Sequence, residues 1–345
     1  FDNSASEHRA VREDIGIYDM SSFGKIKVEG ADACCFLNYI AGADCDVQIG
    51  KIVYTQFLNE DGGIEADITV TRLAETSYIV VTPAATRLAD QTWMTRHAFN
   101  YNVVIIDVTA GEGVLAVMGP NSRKFLNLIS SADLSNEENP FGTAQEVEIG
   151  LGLARIHRVS FVGELGWEIY VSADQAGHVF EVIAEAGKDM NLKFCGMHMM
   201  DSCRIEKGFR HFGHDITCED HVLEAGLGFA VKETKKEFIG RSAVLKKRES
   251  GLEKRLLQFK LKEKEPLLYH NEPIIRDGEI AGYISSGNYG HTLGGAIGMG
   301  YVSCKFQSKE EVLGSSYEIE VAGLRVEADV SLRPMYDPKA ERVKS

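Results

Sequence analysis

The sequence is short of cations and has no long apolar run. Its 345 residues include 37 Lys and Arg against 51 Asp and Glu, which gives a net charge of −14. Proteins that bind nucleic acids or anionic membranes concentrate cations against phosphate, so this balance argues against both classes. No apolar stretch reaches the ~20 residues needed to cross a bilayer. The composition therefore indicates a globular protein without a polyanionic partner.

The cysteines lack any disulfide or metal-binding pattern. Seven are scattered along the chain, and no two form a C-x-x-C pair. An odd, scattered set in an acidic chain of this size is typical of reduced thiols. The sequence therefore predicts a location in the bacterial cytoplasm or the mitochondrial matrix.

Several common nucleotide-binding and hydrolase motifs are absent. No G-x-x-x-x-G-K-[ST] sequence occurs, and none of the G-x-G fragments continues to G-x-G-x-x-G. The sequences G-x-S-x-G and H-E-x-x-H are missing as well. The chain therefore shows no P-loop, no Rossmann dinucleotide site and neither the esterase nor the zincin motif.

Two regions with different patterns of apolar residues and turns follow one another along the chain. At ~100–200 residues per domain, the length indicates two or three domains. In the first region short strands such as Gly24–Glu29 alternate with amphipathic helices. From about Leu252 onward, short alternating segments are separated by turns, for example at Asn271, which predicts a smaller all-β domain. We place the boundary near residue 250, between 1–250 and 251–345.

The first stretch with a candidate catalytic residue spans residues 62–72 (Gly-Gly-Ile-Glu-Ala-Asp-Ile-Thr-Val-Thr-Arg). Its two glycines allow a tight turn. The strand that follows places Asp67 and Thr69 on one face, and Ile68 and Val70 on the other. A carboxylate at the mouth of a strand, beside such a turn, is a candidate for catalysis. The alternative is an acidic residue that caps a hairpin.

The second stretch spans residues 161–170 (Phe-Val-Gly-Glu-Leu-Gly-Trp-Glu-Ile-Tyr), in which Glu164 and Glu168 flank a glycine and one of two tryptophans. If residues 163–166 form a turn, Glu168 enters the next strand with Trp167 on the opposite face. Its carboxylate can then point into a cavity. A carboxylate that accepts from two neighbouring N–H groups suits the guanidine-like edge of a heterocycle. The alternative is a solvated hairpin.

The third stretch spans residues 201–215 (Asp-Ser-Cys-Arg-Ile-Glu-Lys-Gly-Phe-Arg-His-Phe-Gly-His-Asp). Possible metal ligands lie in it or just after it: His211, His214, Asp215, Cys218 and His221. Their spacing matches no recognised metal-binding motif. A helix that ends near Gly208, followed by a polar loop, accounts for the stretch more simply, and we predict no metal site.

Together these stretches resemble the aminomethyltransferase (glycine cleavage T-protein) family, and in particular the folate-binding C-terminal half of sarcosine and dimethylglycine dehydrogenases. Several long motifs in register are more specific than any one of them alone. The segments that carry the resemblance cover essentially the whole chain in order: Tyr18–Lys25, Val53–Asp67, Phe161–Glu168, Arg204–Asp215, Leu223–Leu227, Phe238–Arg241 and Pro334–Lys344.

The resemblance implies an α+β fold with three domains in a cloverleaf around a central tetrahydrofolate cavity. The third domain is expected to be a β-barrel-like module, and the first two to interleave along the chain. The expected division is 1–50 with 145–200, 51–144 with 201–250, and 251–345.

The resemblance also implies roles for individual residues. Asp67 takes the family's catalytic aspartate position, and Glu168 matches the glutamate that holds the amino edge of the pterin. Glu164 and Arg204 are further candidates for folate binding. The residues that fall where the family lines the pterin and benzoyl groups are Tyr54, Val81, Phe161 and Phe229.

The reaction implied is a one-carbon transfer. An iminium or formaldehyde equivalent, released when an N-methyl amine of the sarcosine or dimethylglycine type is oxidised, is captured by tetrahydrofolate as 5,10-methylenetetrahydrofolate. Two alternatives stay open within the fold: an aminomethyltransferase of glycine cleavage or a direct folate-dependent demethylase, and a non-catalytic folate-binding regulatory protein.

Two departures from T-proteins favour the dehydrogenase-type relatives. Phe161 stands where a tyrosine is common, and Met200 stands where an arginine commonly precedes Asp201. Those relatives carry FAD in an N-terminal domain. We therefore expect FAD only in an upstream domain or a partner subunit, with Phe1 marking the seam. Three arrangements stay open: a fragment of a longer flavoprotein, a separate subunit and a stand-alone descendant.

Overall fold

The computed structural model describes residues 3–305 and 307–345, so the expected seam at Phe1 lies outside the described residues. The strands are β1 (Gly16–Asp19), β2 (Gly24–Glu29), β3 (Ile52–Leu58), β4 (Ile64–Ala74), β5 (Ser77–Thr82), β6 (Val104–Asp107), β7 (Glu112–Met118), β8 (Ala144–Ile149), β9 (Gly152–His157), β10 (Gly166–Ser172), β11 (Lys193–Phe194), β12 (Lys254–Leu261), β13 (Pro273–Arg276), β14 (Glu279–Gly290), β15 (Gly295–Ser303), β16 (Tyr317–Val321) and β17 (Leu324–Ser331). The helices are α1 (Ser4–Glu13), α2 (Ala33–Ile40), α3 (Arg87–His97), α4 (Ser122–Ile129), α5 (Ala176–Gly187), α6 (Met197–Glu206), α7 (Arg241–Ser250) and α8 (Lys309–Gly314).

A first sheet of five antiparallel strands has the order β3-β4-β5-β2-β6. Its outer face packs against α2 and α3, where Phe36, Leu37 and Met94 are fully buried. Ile68 and Val70 of β4 belong to this core, which confirms the predicted alternation. Because side chains alternate along a strand, Asp67 and Thr69 project from the opposite face.

A second sheet has the order β11-β1-β7-β10-β9-β8, with one parallel pair, β1 and β11. Its outer face packs on α4 and α5, and Trp167 of β10 is fully buried there. The opposite face carries Tyr18, Ala116 and Tyr170 and packs against α1 and α6. Glu168 alternates with Trp167 and lies on this inner face.

The two sheets divide the chain differently from the expected pairing of segments. Strand β2, placed by that expectation with residues 145–200, pairs instead with β5 and β6 in the first sheet. Strand β7, placed with residues 51–144, pairs with β1 and β10 in the second. The reason is burial, because Ile26 and Val28 of β2 complete the apolar core beneath α2 and α3.

The C-terminal strands form a closed barrel of order β12-β15-β14-β13-β16-β17, as the resemblance implied. Its interior contains Phe259, Ile284 and Ile319, each fully buried. Helix α6 connects the barrel to the second sheet, since Gln258 of β12 donates from Nε2 to the Ile205 carbonyl at 2.6 Å. The fold is therefore an α+β arrangement of two sheets and a barrel.

The inner faces of the two sheets meet in one apolar cluster. Val81 of the first sheet lies in it with Tyr18 and Ala116 of the second, and Phe161 and Met200 pack against the same group. Apolar contact between the sheets keeps their inner faces together. We call the region around this junction the central site.

Candidate functional site

Asp67 is held from two sides on β4. Gln56 lies directly opposite it on β3 and donates from Nε2 to Asp67 Oδ1 at 2.8 Å. Burial raises the pKa of Asp67 to about 6, against the lowering effect of hydrogen bonds from Gln56 and Tyr54 and of the Arg210 charge. A carboxyl group that changes charge near neutral pH is suited to accept a proton from a bound molecule.

The turn before β4 has little room for side chains. Gly62 has a φ of +80°, and a Cβ there would lie 2.5 Å from His221 Nε2. The Asn59 side chain closes the turn, because its Oδ1 accepts from the Gly63 amide at 2.8 Å. The double glycine thus fixes where β4 begins and, with it, the position of Asp67.

An open aromatic pair lies beside Asp67. The rings of Tyr54 and Phe229 are stacked with centroids 6.1 Å apart and an angle of 27°. Tyr54 is 37% exposed, and Phe229, in the single helical turn Gly228–Ala230, is 76% exposed. Tyr54, Thr69 and Val81 occupy one row across the first sheet. Exposed aromatic faces next to a buried aliphatic side chain suit a planar ring.

Glu168 is buried beside two tyrosines on the second sheet. The Tyr170 hydroxyl donates to its Oε2 at 2.7 Å. Burial raises the pKa of Glu168 to about 7, and this hydrogen bond lowers it only in part. Tyr18 and Glu168 both neighbour Ala116 in register, and the buried Tyr18 hydroxyl has no hydrogen-bond partner among the described residues. Buried polar groups with unused capacity mark a place where a ligand can bind.

Phe161 lies at the junction of the sheets. Its ring stacks on that of Phe209, which follows α6, with centroids 6.1 Å apart and an angle of 19°. It also packs against the apolar cluster of the central site. Six of the predicted site residues therefore lie on or against the inner faces: Tyr54, Asp67, Val81, Phe161, Glu168 and, through its contact with Tyr54, Phe229.

Glu164 is buried and both of its carboxylate oxygens are engaged by other side chains. Its Oε1 accepts from Arg12 at 3.0 Å and from the Tyr336 hydroxyl. Its Oε2 accepts from Arg342 at 2.7 Å. Both carboxylate oxygens are thus engaged with α1 and the C-terminal segment, and Glu164 joins distant parts of the chain.

Arg204 makes its contacts with other side chains of the chain and with the backbone. It is 2% exposed. Its Nε donates to Asp201 at 2.6 Å and its Nη1 to Asp215 at 2.6 Å. Asp215 also accepts from Ser285 and Ser286 of the barrel, so Arg204 helps to connect α6 with β14.

The histidine-rich stretch after α6 is a loop. The rings of His211 and His214 have centroids 4.7 Å apart. Within residues 3–305 and 307–345, no group of three or more His, Cys, Asp or Glu side chains is arranged to hold a metal ion. In the same part of the chain, no helix has the length and apolarity to cross a bilayer.

Sequence reasoning missed four residues that lie close to the two carboxyl groups: Gln56, Tyr18, Tyr170 and Arg210. Strand alternation could have found two of them. Gln56 lies two positions beyond Tyr54, and Tyr170 lies two positions beyond Glu168, so each shares a face with a predicted residue. The proximity of Arg210 to Asp67 carries no local signal, since 143 positions separate them.

Two family models match the chain. The GCVT N-terminal domain matches residues 1–235, and the glycine cleavage T-protein C-terminal barrel domain matches residues 254–337. The chain belongs to the glycine cleavage T-protein family. The fold agrees, since the aminomethyltransferase T of the glycine cleavage system from Bartonella henselae superposes with a TM-score of 0.86 at 28% identity, over 97% of this chain and 90% of that one.

Curated relatives fall into two groups within the T-protein family. A 4-methylaminobutanoate oxidase (formaldehyde-forming) from Paenarthrobacter nicotinovorans is 41% identical over 100% of this chain, and mouse mitochondrial sarcosine dehydrogenase is 35% identical over 97%. The chain spans only 41% and 38% of those two proteins. An aminomethyltransferase from Halothermothrix orenii is 37% identical over 86% of this chain and 82% of its own length.

Proposed function

We propose that this chain is a tetrahydrofolate-dependent one-carbon transferase. It takes up the one-carbon unit released when an N-methyl amino acid is oxidised, and the product is 5,10-methylenetetrahydrofolate. The two folate N–H hydrogens leave with the oxygen of formaldehyde as water, or with the nitrogen of the iminium as the demethylated amine. The observation that carries the proposal is the placement of two carboxyl groups with raised pKa, Asp67 and Glu168, on the facing inner surfaces of two sheets. Catalytic sites are where such shifts concentrate.

The groups around Glu168 fit the amino edge of a pterin. That edge presents two adjacent N–H donors, and a carboxylate accepts both in a bidentate pair. Tyr170 takes up one lone pair of Oε2 and leaves the other oxygen for a ligand. The Tyr18 hydroxyl, buried and unpartnered within the described residues, would gain a partner when a polar ring binds.

The groups around Asp67 fit a proton acceptor. Bound tetrahydrofolate would supply the amine nitrogens that take up the one-carbon unit. Gln56 holds the Asp67 carboxylate by its Oδ1, which orients it for a proton released at a bound nitrogen. Tyr54 and Phe229 would cover the planar parts of the ligand, with Val81 and Phe161 lining the same region.

The class of amine follows from the relatives. The oxidase is named for 4-methylaminobutanoate and the dehydrogenase for sarcosine, and both compounds are N-methyl amino acids. Because this chain spans about two fifths of those proteins, we propose that the oxidation itself belongs to an FAD-dependent domain or partner subunit.

A second candidate is aminomethyl transfer in glycine cleavage or direct demethylation of a methyl donor. The match to the Bartonella henselae protein over nearly the whole of both chains favours it. A partner-free assay with tetrahydrofolate separates the two candidates. Turnover with an aminomethylated lipoyl carrier, or with an N-, O- or S-methyl donor, supports the second. Turnover confined to formaldehyde supports the first.

The deciding experiment measures tetrahydrofolate binding by calorimetry and methylene transfer from formaldehyde in the wild type, Asp67→Asn and Glu168→Ala. We expect Glu168→Ala to lose affinity, and Asp67→Asn to bind but to lose most of its turnover. Equal affinity of Glu168→Ala and the wild type would refute the pterin assignment. If Asp67→Asn binds folate and its turnover equals that of the wild type, Asp67 is not the catalytic residue. Folate binding without turnover in the wild type would support the non-catalytic, regulatory alternative.

A further inference from the structure

Arg210 occupies a place between α6, the loop of residues 221–230 and the central site. Its Nη1 donates to the Gly208 carbonyl at 2.7 Å, and its Nε donates to the Ala225 carbonyl at 3.1 Å. A Cβ on Gly226 would lie 2.8 Å from Arg210 Nη2. The guanidinium is therefore seated against the backbone of the loop, in a space that the glycine leaves open.

The same loop carries the aromatic cover of the site. Phe229 follows Gly226 by three residues and stacks on Tyr54, which in turn hydrogen-bonds to Asp67. Arg210 thus connects to Asp67 along two routes. One is mechanical, through the loop and the Tyr54–Phe229 pair, and the other is electrostatic.

The charged and titratable groups that act on Asp67 come from three elements. Tyr54 on β3 and Arg210 after α6 lower the pKa of Asp67, while Asp90 on α3 raises it. The effect of burial is larger than any of these and also raises it. The guanidinium of Arg210 is thus a cation that favours the ionised form of a carboxyl otherwise disposed to stay neutral.

We infer that Arg210 is a positioning residue for the proposed transfer. It holds the loop that carries Phe229, so that Phe229 covers Tyr54 beside Asp67, and it brings a positive charge to that side of the site. This inference rests on the proposed function. The effect of the Arg210 charge on the pKa of Asp67 can nevertheless be measured without folate. Nothing in the motif of residues 201–215 would assign this role to Arg210 from the sequence.

The test uses Arg210→Gln, which removes the charge and keeps a donor, and Arg210→Lys, which keeps the charge. Arg241→Met is the matched control, because Arg241 also donates to two backbone carbonyls, those of Lys235 and Glu233. Two quantities are measured: the pH profile of methylene transfer, and the pH midpoint of the Asp67 carboxyl ¹³C shift in ligand-free protein, assigned with Asp67→Asn.

We expect Arg210→Gln to move the midpoint and the acidic limb of the profile to higher pH. A move of about half a pH unit lowers turnover about twofold at pH 6, near the Asp67 pKa, and hardly at all at pH 8.5. Arg210→Lys should restore the midpoint, and the control should leave it unchanged. If Arg210→Gln does not fold, Arg210→Met replaces it as the uncharged variant.

A purely structural role would lower turnover equally at all pH values with an unmoved midpoint, and that result overturns the inference. A moved midpoint without any folate turnover in the wild type refutes the proposed function while the coupling holds. Turnover in the wild type with an unmoved midpoint in Arg210→Gln leaves the proposed function intact and refutes the inference.

Discussion

Replacing Glu168 with Gln should make the protein more stable above pH 7. Glu168 is 8% exposed and has one hydroxyl donor, that of Tyr170. In the unfolded chain its carboxylate is fully hydrated, so ionisation costs more in the folded protein. Glutamine has nearly the same shape, carries no charge and can still accept the hydrogen bond from Tyr170 through its carbonyl oxygen.

The size and direction of the effect follow from the two pKa values. Burial raises the pKa of Glu168 from its ordinary 4.5 to about 7. At 1.36 kcal/mol per pH unit, this difference of about 2.5 units corresponds to about 3 kcal/mol. The stability is fully present below pH 4.5 and is lost progressively as the pH rises to about 7, because the unfolded chain releases the proton first.

The assay is urea unfolding of the wild type and Glu168→Gln at several pH values from 5 to 9. The difference in unfolding free energy should be small at pH 5 and should grow to about 2–3 kcal/mol in favour of the variant at pH 8. A difference that does not change with pH would refute the reasoning. Glu164→Gln is the matched control from the same motif, and it should destabilise the protein by roughly 3 kcal/mol because buried Arg12 loses a charged partner.

Three further predictions concern packing around the site. Glu206→Gln should lower the unfolding free energy by roughly 3–5 kcal/mol in urea titrations, since it removes a buried anion 3.0 Å from Arg12; a loss below about 1 kcal/mol would show that the pair adds little. Arg204→Met should destabilise the fold but leave the calorimetric affinity for tetrahydrofolate unchanged. A tenfold weaker affinity would show that Arg204 contributes to folate binding. Gly62→Ala should lower the free energy of unfolding by about 1–3 kcal/mol, measured by thermal unfolding. Adding His221→Ala should recover part of this loss, because the new Cβ would otherwise clash with His221. Strictly additive losses would contradict this contact.

Much of the local architecture could be predicted from periodicity. The alternation around Asp67 and Glu168 correctly indicated which neighbours would be buried, since Ile68, Val70 and Trp167 all lie in cores on the outer faces. The short alternating segments after residue 250 likewise predicted a smaller all-β domain, which is the closed barrel in the structure. These inferences succeeded because side-chain direction in a strand depends only on the local backbone repeat of two.

The interleaving of the two sheets could not be read in the same way. Strand β2 could pair with either group of strands on its pattern alone. Its place was decided by the partners that bury Ile26 and Val28, and those partners come from residues 77–107. Strand pairing is a non-local choice, and a short apolar alternation does not specify it.

The sequence by itself determined that two carboxylates, Asp67 and Glu168, would stand opposite apolar faces of strands, and that the chain would resemble a known family. Only the tertiary structure separated Glu168 from Glu164, four positions away. The partners of Glu164, Arg12 and Arg342, lie more than 150 residues from it along the chain. The charge state and role of a buried carboxylate depend on which distant groups the fold brings to it. The local sequence does not indicate which groups these will be.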